Sequence, residues 1–595
     1  MKIIGINAWH ADASAALIID GEVIVAIEEE RFTRVKHWAG FPTSAIEFCL
    51  KEGGLDYDSV DFFAIGRDPG AKFLQKLLYL AKHPAGSWNA VKSRIQNSRK
   101  VQNLSSVLAK QSGLPETRFS RKVIHVEHHR SHLASAFYTS PFKESACLSV
   151  DGSGDFSTTM MGYASNNKIE VTGSINFPHS LGLFYTAFTQ LLGFPNYGDE
   201  YKVMGMAPYG RPVFKEEVAR LVHLTSDGGF RLNLKYFRKG TEGIISYDAQ
   251  HIPRVQPLYS AQMEREFGPL RSANDPLLQS HKDMAASVQA VTEDAIFHML
   301  RHLHKKTGSE NVCIAGGVAQ NSVANGKIRA NTPFKNVYIP SAGHDAGISM
   351  GAALYHYFRL NPASPTFPTR HAYLGSRFTN EEIKTFLNDK GFFYEELADE
   401  ELFNTVTDQL INGGVVGWFC GRSEFGPRAL GGRSILADPR RHDAKKILNE
   451  KIKRRENFRP FAPSILKEYA NEFFENAEDV PFMEKVLVIR PDKRNLIPAV
   501  THIDGTGRLQ TVDKDCTPRY YNLIDAFRRK TGIPILLNTS FNENEPIVNA
   551  PEEALNCFLR TKMDMLVMEN CVLSRKKLEA WLSKKENALT ALGIC

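Results

Sequence analysis

The sequence predicts an α/β protein of two domains, and three observations support that prediction. The chain opens with a strand–turn–strand pattern, and segments in which a strand runs into a Gly-rich turn and then a helix recur downstream. A Pro-rich, aperiodic stretch between about 360 and 375 interrupts this pattern. At 595 residues the chain is long enough for at least two hydrophobic cores. We therefore predict domains over residues 1–370 and 371–595.

Composition excludes several classes of protein. The net charge is +7, from 73 basic and 66 acidic residues, which is not a nucleic-acid-binding composition. Only the segment 67–122 is strongly basic, and it predicts a solvated helical face or, alternatively, a surface for a polyanionic partner. The 8 cysteines form no C-x-x-C pair, which indicates free thiols in a reducing compartment. No apolar run approaches the ~20 residues of a membrane span, and His10 and Asp12 interrupt the start too early for a signal peptide, so we predict a cytoplasmic protein.

The opening segment is the first candidate for a ligand site. KIIGINAW predicts a strand, and AALIIDGEVIVAIEEER predicts two more that are joined at Asp20 and Gly21. The polar turn HADAS lies between the first two strands, and this arrangement recurs in actin-like ATPases, where the turn faces nucleotide phosphates. Asp12 and Ser14 are predicted to face phosphates here, and His10 points into the same cleft. The alternative is a surface hairpin.

A metal site is predicted from a pair of histidines. His128 and His132 are four residues apart in HRSHLASAFY, a run without Gly or Pro that predicts a helix. Residues i and i+4 share a helix face, so both imidazoles can bind one metal ion. The following segment, SACLSVDGSGD, predicts a buried strand that ends in an acidic Gly-rich turn, where Asp151 offers a third ligand. Ordinary core or surface histidines are the alternative.

A second acidic turn favours the metal over that alternative. PSAGHDAGISMGAAL places Asp345 after a strand and before a helix of small residues. Two carboxylates with two imidazoles suit Fe, Mn or Zn rather than Ca or Mg. Open coordination positions would then let the ion act as a Lewis acid.

Two further segments of the first domain contain candidate binding residues. AGGVAQNSVANG predicts a strand, a turn at Gly316 and Gly317, and a helix whose N-terminus can hold adenine, ribose or phosphate. NYGDEYKVMGMAPYG predicts a Gly-bounded loop in which Asp199, Glu200 and Lys202 are candidates for an acceptor site.

The second domain is predicted to bind phosphates through cations on Gly-rich backbone. Apolar and Pro residues surround these charges in GPRALG and FRPFAP, which argues against a surface patch. The two longer segments that contain these motifs, GRSEFGPRALGGRSILADPR and KIKRRENFRPFAPS, carry the cations Arg422, Arg428, Arg433, Arg440, Lys453, Arg454, Arg455 and Arg459. Two strand-and-turn segments, HIDGTGRLQTV and IPILLNTSFN, add Arg508, Asn538, Thr539, Ser540 and Asn542.

Together these segments resemble the O-carbamoyltransferase family of antibiotic and nodulation-factor pathways. The matching motifs follow the family's order along nearly the whole chain: HADASAAL, EEERFTRVKHWAGFP, HHRSH, VDGSGD, DEYKVMGMAPYG, AGGVAQN, GHDAG, GRSEFGPRALGGRSIL, KRRENFRPFAP and NTSFN. The resemblance implies an actin-like, TsaD-like first domain and a YrdC-like second domain.

The family's site residues transfer by motif. The resemblance implies that His128, His132, Asp151 and Asp345 bind a metal, with Fe(II) the expected ion. It implies a carbamoyl phosphate and ATP site at Arg428, Lys453, Met483, Arg508 and Ser540, an adenylate site at Gly316, Gly317 and Asn321, and a catalytic histidine at His10. Ala11 separates His10 from Asp12, whereas some family members have the His directly before the Asp.

The implied reaction has two steps. The second domain makes carbamoyladenylate from ATP and carbamoyl phosphate, with Mg(II) accompanying ATP, and the first domain passes the carbamoyl group to a hydroxyl of a small-molecule acceptor. We expect a natural-product or sugar acceptor, no nucleic acid, no membrane, and a monomer or homodimer. Three alternatives stay open: a tRNA threonylcarbamoyladenosine-type enzyme, a non-haem iron oxygenase, and a non-catalytic ATP- and metal-binding regulator. Hydrogenase-maturation carbamoyl transfer is disfavoured because the chain lacks that family's Cys-rich zinc motifs.

Overall fold

The computed structural model describes residues 1–82, 101–238 and 245–581. The chain divides into two compact units, Met1–Thr369 and Arg370–Cys595. Both units contain helices and mixed sheets, which confirms the predicted α/β class. The roles of the two units in carbamoyl transfer and in carbamoyladenylate formation remain predictions.

The first unit is built on two five-stranded sheets and a set of helices. Its described strands are β1 Lys2–Asn7, β2 Ser14–Ile19, β3 Glu22–Glu28, β4 Phe62–Ile65, β5 Val123–His125, β6 Glu144–Gly154, β7 Ser157–Ser165, β8 Lys168–Asn176, β9 Val222–Leu224, β10 Phe230–Leu232, β11 Ile245–Tyr247, β12 Pro253–Val255, β13 Asn311–Ala315 and β14 Asn336–Tyr338. Its described α-helices are Glu30–Thr33, Thr43–Glu52, Phe73–Lys82, Leu104–Ser112, His128–Phe137, Leu181–Leu191, Glu200–Met206, Lys215–Ala219, Ala261–Phe267, Gln279–Thr307, Ser322–Asn331 and Gly347–Leu360.

The two five-stranded sheets repeat one topology. The first has the order β3-β2-β1-β4-β5 and the second β8-β7-β6-β13-β14. In each sheet three consecutive antiparallel strands are followed by two strands that run parallel to the central one. This repetition agrees with the actin-like fold expected for the first domain.

The strand–turn–strand opening is confirmed. Strand β1 is central and its isoleucines are fully buried, as expected for a strand that is covered on both faces. Strands β2 and β3 join at Asp20 and Gly21, whose φ values of 50° and 89° are those of a type I′ hairpin turn. The Asp12 backbone also has a positive φ, 58°, so the HADAS turn bends sharply between β1 and β2.

A closely packed helix pair positions the predicted metal ligands. The helix His128–Phe137 lies against the helix Gly347–Leu360, whose small residues allow the two backbones to approach. A Cβ added at Gly351 would lie 1.9 Å from the backbone oxygen of Ser131. The close approach therefore depends on glycine at this position.

Two segments differ from their predicted structure or lie partly outside the described residues. The predicted loop NYGDEYKVMGMAPYG is wrong in its central part, because Glu200–Met206 is a helix with an acidic residue in its first turn. The basic segment 67–122 contains the helices Phe73–Lys82 and Leu104–Ser112, and its residues 83–100 lie outside the described part. Across the described residues, none of the helices has both the length and the apolar composition that a membrane crossing requires.

The second unit is built on one nine-stranded mixed sheet of order β15-β23-β22-β16-β17-β21-β18-β20-β19. Its strands are β15 Glu395–Glu396, β16 Val416–Phe419, β17 Arg433–Ala437, β18 Ala462–Leu466, β19 Lys485–Val488, β20 Thr506–Val512, β21 Ile535–Ser540, β22 Met565–Met568 and β23 Cys571–Ser574. Its described α-helices are Asn380–Asp389, Asp399–Ile411, Ala444–Ile447, Ala470–Phe473, Pro518–Thr531 and Pro551–Arg560, and Leu448–Lys453 forms a turn of π-helix.

Candidate functional site

The four predicted metal ligands converge in the first unit. All are buried, and their donor atoms lie within 4.8 Å of one another. The Nε2 atom of His128 is 3.0 Å from Asp151 Oδ2 and 3.6 Å from Asp345 Oδ1. The Nε2 atom of His132 is 3.6 Å and 3.3 Å from the same two oxygens. Two imidazole nitrogens and one oxygen of each carboxylate therefore surround a common point.

The second oxygen of each carboxylate is held by a separate partner. Asp151 Oδ1 accepts a hydrogen bond of 3.0 Å from the backbone N–H of Gly317. Asp345 Oδ2 lies 2.7 Å from Nδ1 of His10. Such outer contacts fix the orientation of metal-binding carboxylates. Because the pairing of β6 with β13 ends at Ser149 and Ala315, Asp151 and Gly317 lie next to each other just beyond the paired residues.

Protonation in the cluster follows from burial and charge. Burial lowers the pKa of His132, but the charges of Asp151 and Asp345 outweigh burial and raise it to about 9. Burial raises the pKa of Asp151, and the contacts with His128 and His132 outweigh this and hold it well below its usual range. A metal ion at these donor atoms would compete with protons for them.

The donor set fits a transition-metal ion. The Nε2 atom of His132 and the Oδ1 atom of Asp345 are buried and have no hydrogen-bond partner among the described residues. Native proteins rarely leave buried polar atoms unsatisfied, so these atoms point to a ligand. Two imidazoles and two carboxylates match the chemistry of Fe, Mn or Zn.

The structure gives each of the other first-unit candidates a definite contact. Asp12 Oδ1 is 2.8 Å from Nδ1 of His37, and Lys202 Nζ is 2.9 Å from Asp199 Oδ1. A Cβ at Gly317 would lie 2.8 Å from Asp151 Oδ1, so glycine permits the contact with the ligand carboxylate.

Gly316 and Asn321 complete the turn that follows β13. Gly316 has a φ of 99°, and a Cβ there would lie 2.2 Å from the backbone oxygen of Val150. The amide of Asn321 pairs with that of Gln289 and accepts the backbone N–H of Ala324 at the start of a helix.

The second-unit candidates share one face of the nine-stranded sheet. Residues i and i+2 of a strand point to the same face. Asn538 and Ser540 are so related on β21, as are Arg508 and Gln510 on β20. The amide nitrogen of Asn538 donates to Gln510 Oε1 at 3.1 Å, which joins the two strands through their polar side chains.

Lys453 ends the π-helical turn and is buried at this face. Its Nζ lies 2.8 Å from the backbone oxygen and 2.6 Å from the Oδ1 atom of Asn542, and 3.2 Å from Ser540 Oγ. The turn and the end of β21 therefore fix the ammonium group in place. Local π-helical turns are frequent at functional sites.

Half-buried guanidinium groups make this face strongly cationic. Burial lowers the pKa of Arg428 to about 9, and the charge of Arg508 adds to this effect. Burial also lowers the pKa of Arg508 to about 10, with a further contribution from Arg459. The Nε atom of Arg508 has no hydrogen-bond partner within the described residues. Clustered, desolvated cations indicate an anionic ligand.

The remaining candidates divide between the site and its scaffold. Met483 is buried with a φ of 55°, next to Glu484, whose pKa is raised to about 7 by burial. Arg422 donates to the backbone oxygen of Gly375 at 2.9 Å. Arg433 is fully buried and donates to the carbonyls of the Gly-rich loop, so its contacts are those of a structural residue. Arg440 is paired with Asp438.

Four residues near these sites have features that sequence reasoning missed. His37 lies in the motif EEERFTRVKHWAGFP, and its side chain is paired with Asp12. Tyr197 lies edge-on to His37 at 5.1 Å. His344 directly precedes the metal-ligand candidate Asp345, and the motif GHDAG indicated its position in the sequence. Nothing in the sequence indicated a role for Glu484, because a single carboxylate beside a lysine, here Lys485, is common.

The comparison with known families identifies the chain. The family model described as Carbamoyltransferase N-terminus matches residues 2–354, and that described as Carbamoyltransferase C-terminus matches residues 407–575. The chain belongs to the carbamoyltransferase family. The predicted family and the predicted enzyme class are thereby confirmed.

Relatives extend over most of the chain. The protein sll1178 of Synechocystis sp. is 42% identical over 96% of this chain and 96% of its own length. Nodulation protein NolNO of Sinorhizobium fredii is 37% identical over 96% of this chain and 80% of its own length. Nodulation protein NolO of Bradyrhizobium diazoefficiens is 40% identical over 74% of this chain and 78% of its own length.

Proposed function

We propose that this carbamoyltransferase activates carbamoyl phosphate with ATP in its second unit and transfers the carbamoyl group to a hydroxyl of a small molecule in its first. The observation that carries the proposal is the occurrence, in one chain of this family, of two chemically opposite sites. One is a buried cluster of two His and two Asp, and the other is a face with the buried Lys453 and the half-buried Arg428 and Arg508. The first suits a metal ion and the second suits phosphates.

The cationic face supports the activation step. Carbamoyl phosphate is a poor electrophile toward a neutral alcohol. Cleavage of its carbamoyl–phosphate bond by water gives carbamate and phosphate, and attack of a carbamate oxygen on the α-phosphate of ATP gives carbamoyladenylate and pyrophosphate. Arg428, Lys453 and Arg508 would neutralise the phosphates as charge develops, and a Mg(II) ion would accompany ATP. Fixed contacts on Lys453 mean that little reorganisation is needed.

The two-His–two-Asp cluster supports the transfer step. A bound Fe(II) would supply Lewis acidity toward the carbamoyl oxygen. The chain's own contribution is to orient the ligands: Gly317 holds Asp151, and His10 holds Asp345. The proposal therefore keeps His10 as an essential histidine and assigns it to the metal centre. Asp12 and the turn at Gly316 would face the bound adenylate, and the loop before Lys202 would face the acceptor.

A single incubation tests the proposed function. The full-length protein is mixed with ATP, carbamoyl phosphate and a panel of hydroxylated metabolites, including sugars, aminoglycosides and macrolides. We expect pyrophosphate release that requires both ATP and carbamoyl phosphate, and one panel compound that gains one carbamoyl group by mass spectrometry. Pyrophosphate release without any dependence on carbamoyl phosphate would contradict the activation step. A carbamoylated product that forms equally well without ATP would contradict the adenylate route.

A further inference from the structure

A second Asp–His pair lies close to the metal-ligand cluster. Nδ1 of His37 is 2.8 Å from Oδ1 of Asp12, and the backbone N–H of His37 donates to Glu30 Oε2 at 2.9 Å. Asp12 is buried and is two residues from His10, which itself contacts Asp345. Two residues of chain span at most about 7 Å, so this pair is held near the cluster.

The free edge of His37 faces the segment before Lys202. Its Nε2 atom has no hydrogen-bond partner in the part of the chain that the structure describes, and the side chain is 30% exposed. A Cβ at Gly198 would lie 2.7 Å from this Nε2, so glycine leaves the nitrogen accessible. The ring of Tyr197 packs edge-on against the imidazole at 5.1 Å. A carboxylate on one ring nitrogen and an accessible second nitrogen is the arrangement of a general base.

His10 is arranged differently. It also pairs with a carboxylate, but the carboxylate is that of Asp345, whose other oxygen faces His128 and His132. A metal ion at the cluster would draw on the negative charge of Asp345 and leave less of it to support His10 as a base. Asp12 contacts no member of the metal-ligand cluster among its hydrogen bonds and ion pairs in the described residues, so its charge stays available to His37.

We propose that His37, oriented by Asp12, is the catalytic residue that takes the proton of the acceptor hydroxyl. In this step, which rests on the proposed function, the hydroxyl oxygen forms a bond to the carbamoyl carbon. The hydroxyl proton moves to Nε2 of His37, the bond between that carbon and the AMP phosphate oxygen breaks, and its electron pair leaves with AMP. Asp12 is a positioning residue that fixes the tautomer with the proton on Nδ1.

Two nucleophiles separate this inference from the proposed function. Hydroxylamine attacks activated acyl groups without a general base, whereas glycerol and glucose need their proton removed. The full-length protein is incubated with ATP, carbamoyl phosphate and either hydroxylamine or a mixture of glycerol and glucose, and hydroxyurea and sugar or glyceryl carbamates are quantified. Reactions without ATP give the background from decomposition of carbamoyl phosphate.

We expect His37→Ala to form hydroxyurea at the wild-type rate and to lose about 10²–10⁴-fold in the rate of hydroxyl carbamoylation. Added imidazole should restore part of the hydroxyl transfer in this variant, which a merely structural role would not allow. His223→Ala, which removes an exposed histidine of the same unit, should match the wild type in both reactions. Asp12→Asn should show a smaller loss of hydroxyl transfer and no rescue by imidazole.

Each contrary result is distinct. Absence of ATP-dependent hydroxyurea from the wild type would contradict the proposed function itself. Hydroxyurea without any hydroxyl product from the wild type, or wild-type hydroxyl transfer in His37→Ala, would overturn the assignment of the base. Because Asp12, Glu30 and His37 also bring donor atoms within 4.8 Å of one another, metal content is measured by elemental analysis. A loss of bound metal in His37→Ala would overturn it as well.

Discussion

The two candidate sites satisfy buried charge in opposite ways. In the first unit, two buried carboxylates face two buried imidazoles, and their charges largely compensate one another. In the second, burial lowers the pKa of Arg428 to about 9 and that of Arg508 to about 10, and the charges of Arg508 and of Arg459, respectively, add to the effect. Burying charge is costly, and neighbouring like charges add to that cost, so an anionic ligand would stabilise the second site.

Because the two sites compensate charge differently, ligand binding should stabilise them to different extents. In the first cluster a metal ion would compete with protons for the same donor atoms, which offsets part of its binding free energy. At the cationic face, bound phosphates would reduce the repulsion between Arg428 and Arg508. We therefore expect substrate phosphates to stabilise the second unit more than a metal ion stabilises the first.

The largest expected effect comes from removing a buried cation. Lys453→Ala should lower the rate of pyrophosphate release by about 10²–10³-fold, because it removes a fixed positive charge beside the reacting phosphates. The control is Lys451→Ala, which removes an exposed lysine from the same turn. Release is measured with an enzyme-coupled assay. If Lys451→Ala and Lys453→Ala lose activity equally, the effect belongs to the turn rather than to the site.

A scaffold mutation should damage the first site alone. Gly351→Ala places a Cβ 1.9 Å from the Ser131 backbone oxygen, so the helix that contains His128 and His132 must move. We expect a destabilisation of about 2–3 kcal/mol and weaker metal binding, because an extra methyl group in a packed core forces the backbone to shift. Gly173→Ala, where an added Cβ meets nothing within 4 Å, is the control. Wild-type metal affinity in Gly351→Ala would show that the helix contact does not set the ligand positions.

Much of the first site could be predicted from the sequence, and the reason is periodicity. The i, i+4 spacing fixes His128 and His132 on one helix face. Asp151 follows the paired part of β6, and Asp345 lies in the turn before the helix Gly347–Leu360, as the Gly-rich turns of the sequence indicated. The pairing of His37 with Asp12 could not be predicted, because two turns with positive φ, at 56° and 58°, bring these residues together. Such backbone conformations leave no periodic signal in a sequence.

For the second site, the sequence predicted the type of site but not which arginines belong to it. Gly-rich and Pro-rich segments indicated a cationic site, but they did not separate Arg433, which braces the loop, from Arg428 and Arg508. That distinction depends on tertiary contacts, since Arg433 donates to backbone carbonyls of the loop. The loop itself is organised by Glu424, whose carboxylate accepts the backbone N–H groups of Leu430 and Gly432 at 2.7 Å each.

A smaller effect is expected from the outer contact of the metal cluster. His10→Ala frees Asp345 Oδ2 and should weaken metal affinity by about 10–100-fold, as losses of such contacts do. His10→Gln retains a hydrogen-bond donor and should retain most of the affinity. Both are measured by competition with a chromophoric chelator. Pyrophosphate release should be unchanged in both, and a parallel loss of that activity would mean that the two half-reactions are not separable.

The smallest expected effect distinguishes the units by acid sensitivity. His356 is buried against Phe62 in the first unit, and burial, with a contribution from Arg359, lowers its pKa to about 4. The unfolded chain takes up the proton near its ordinary pKa of about 6.5, so the free energy of unfolding falls as pH drops below that value. The loss should reach about 1.4 kcal/mol at pH 5.5 and be absent in His356→Leu.

His502 in the second unit also has a pKa lowered to about 4, by burial and by Arg508. Because a bound anion would offset Arg508, pyrophosphate should reduce the acid sensitivity that is due to His502 and leave that of His356 unchanged. Thermal denaturation of the wild type, His356→Leu and His502→Leu between pH 5.5 and 7.5, with and without pyrophosphate, measures both. Equal protection of both histidines would mean that the second site is not the one that takes phosphates.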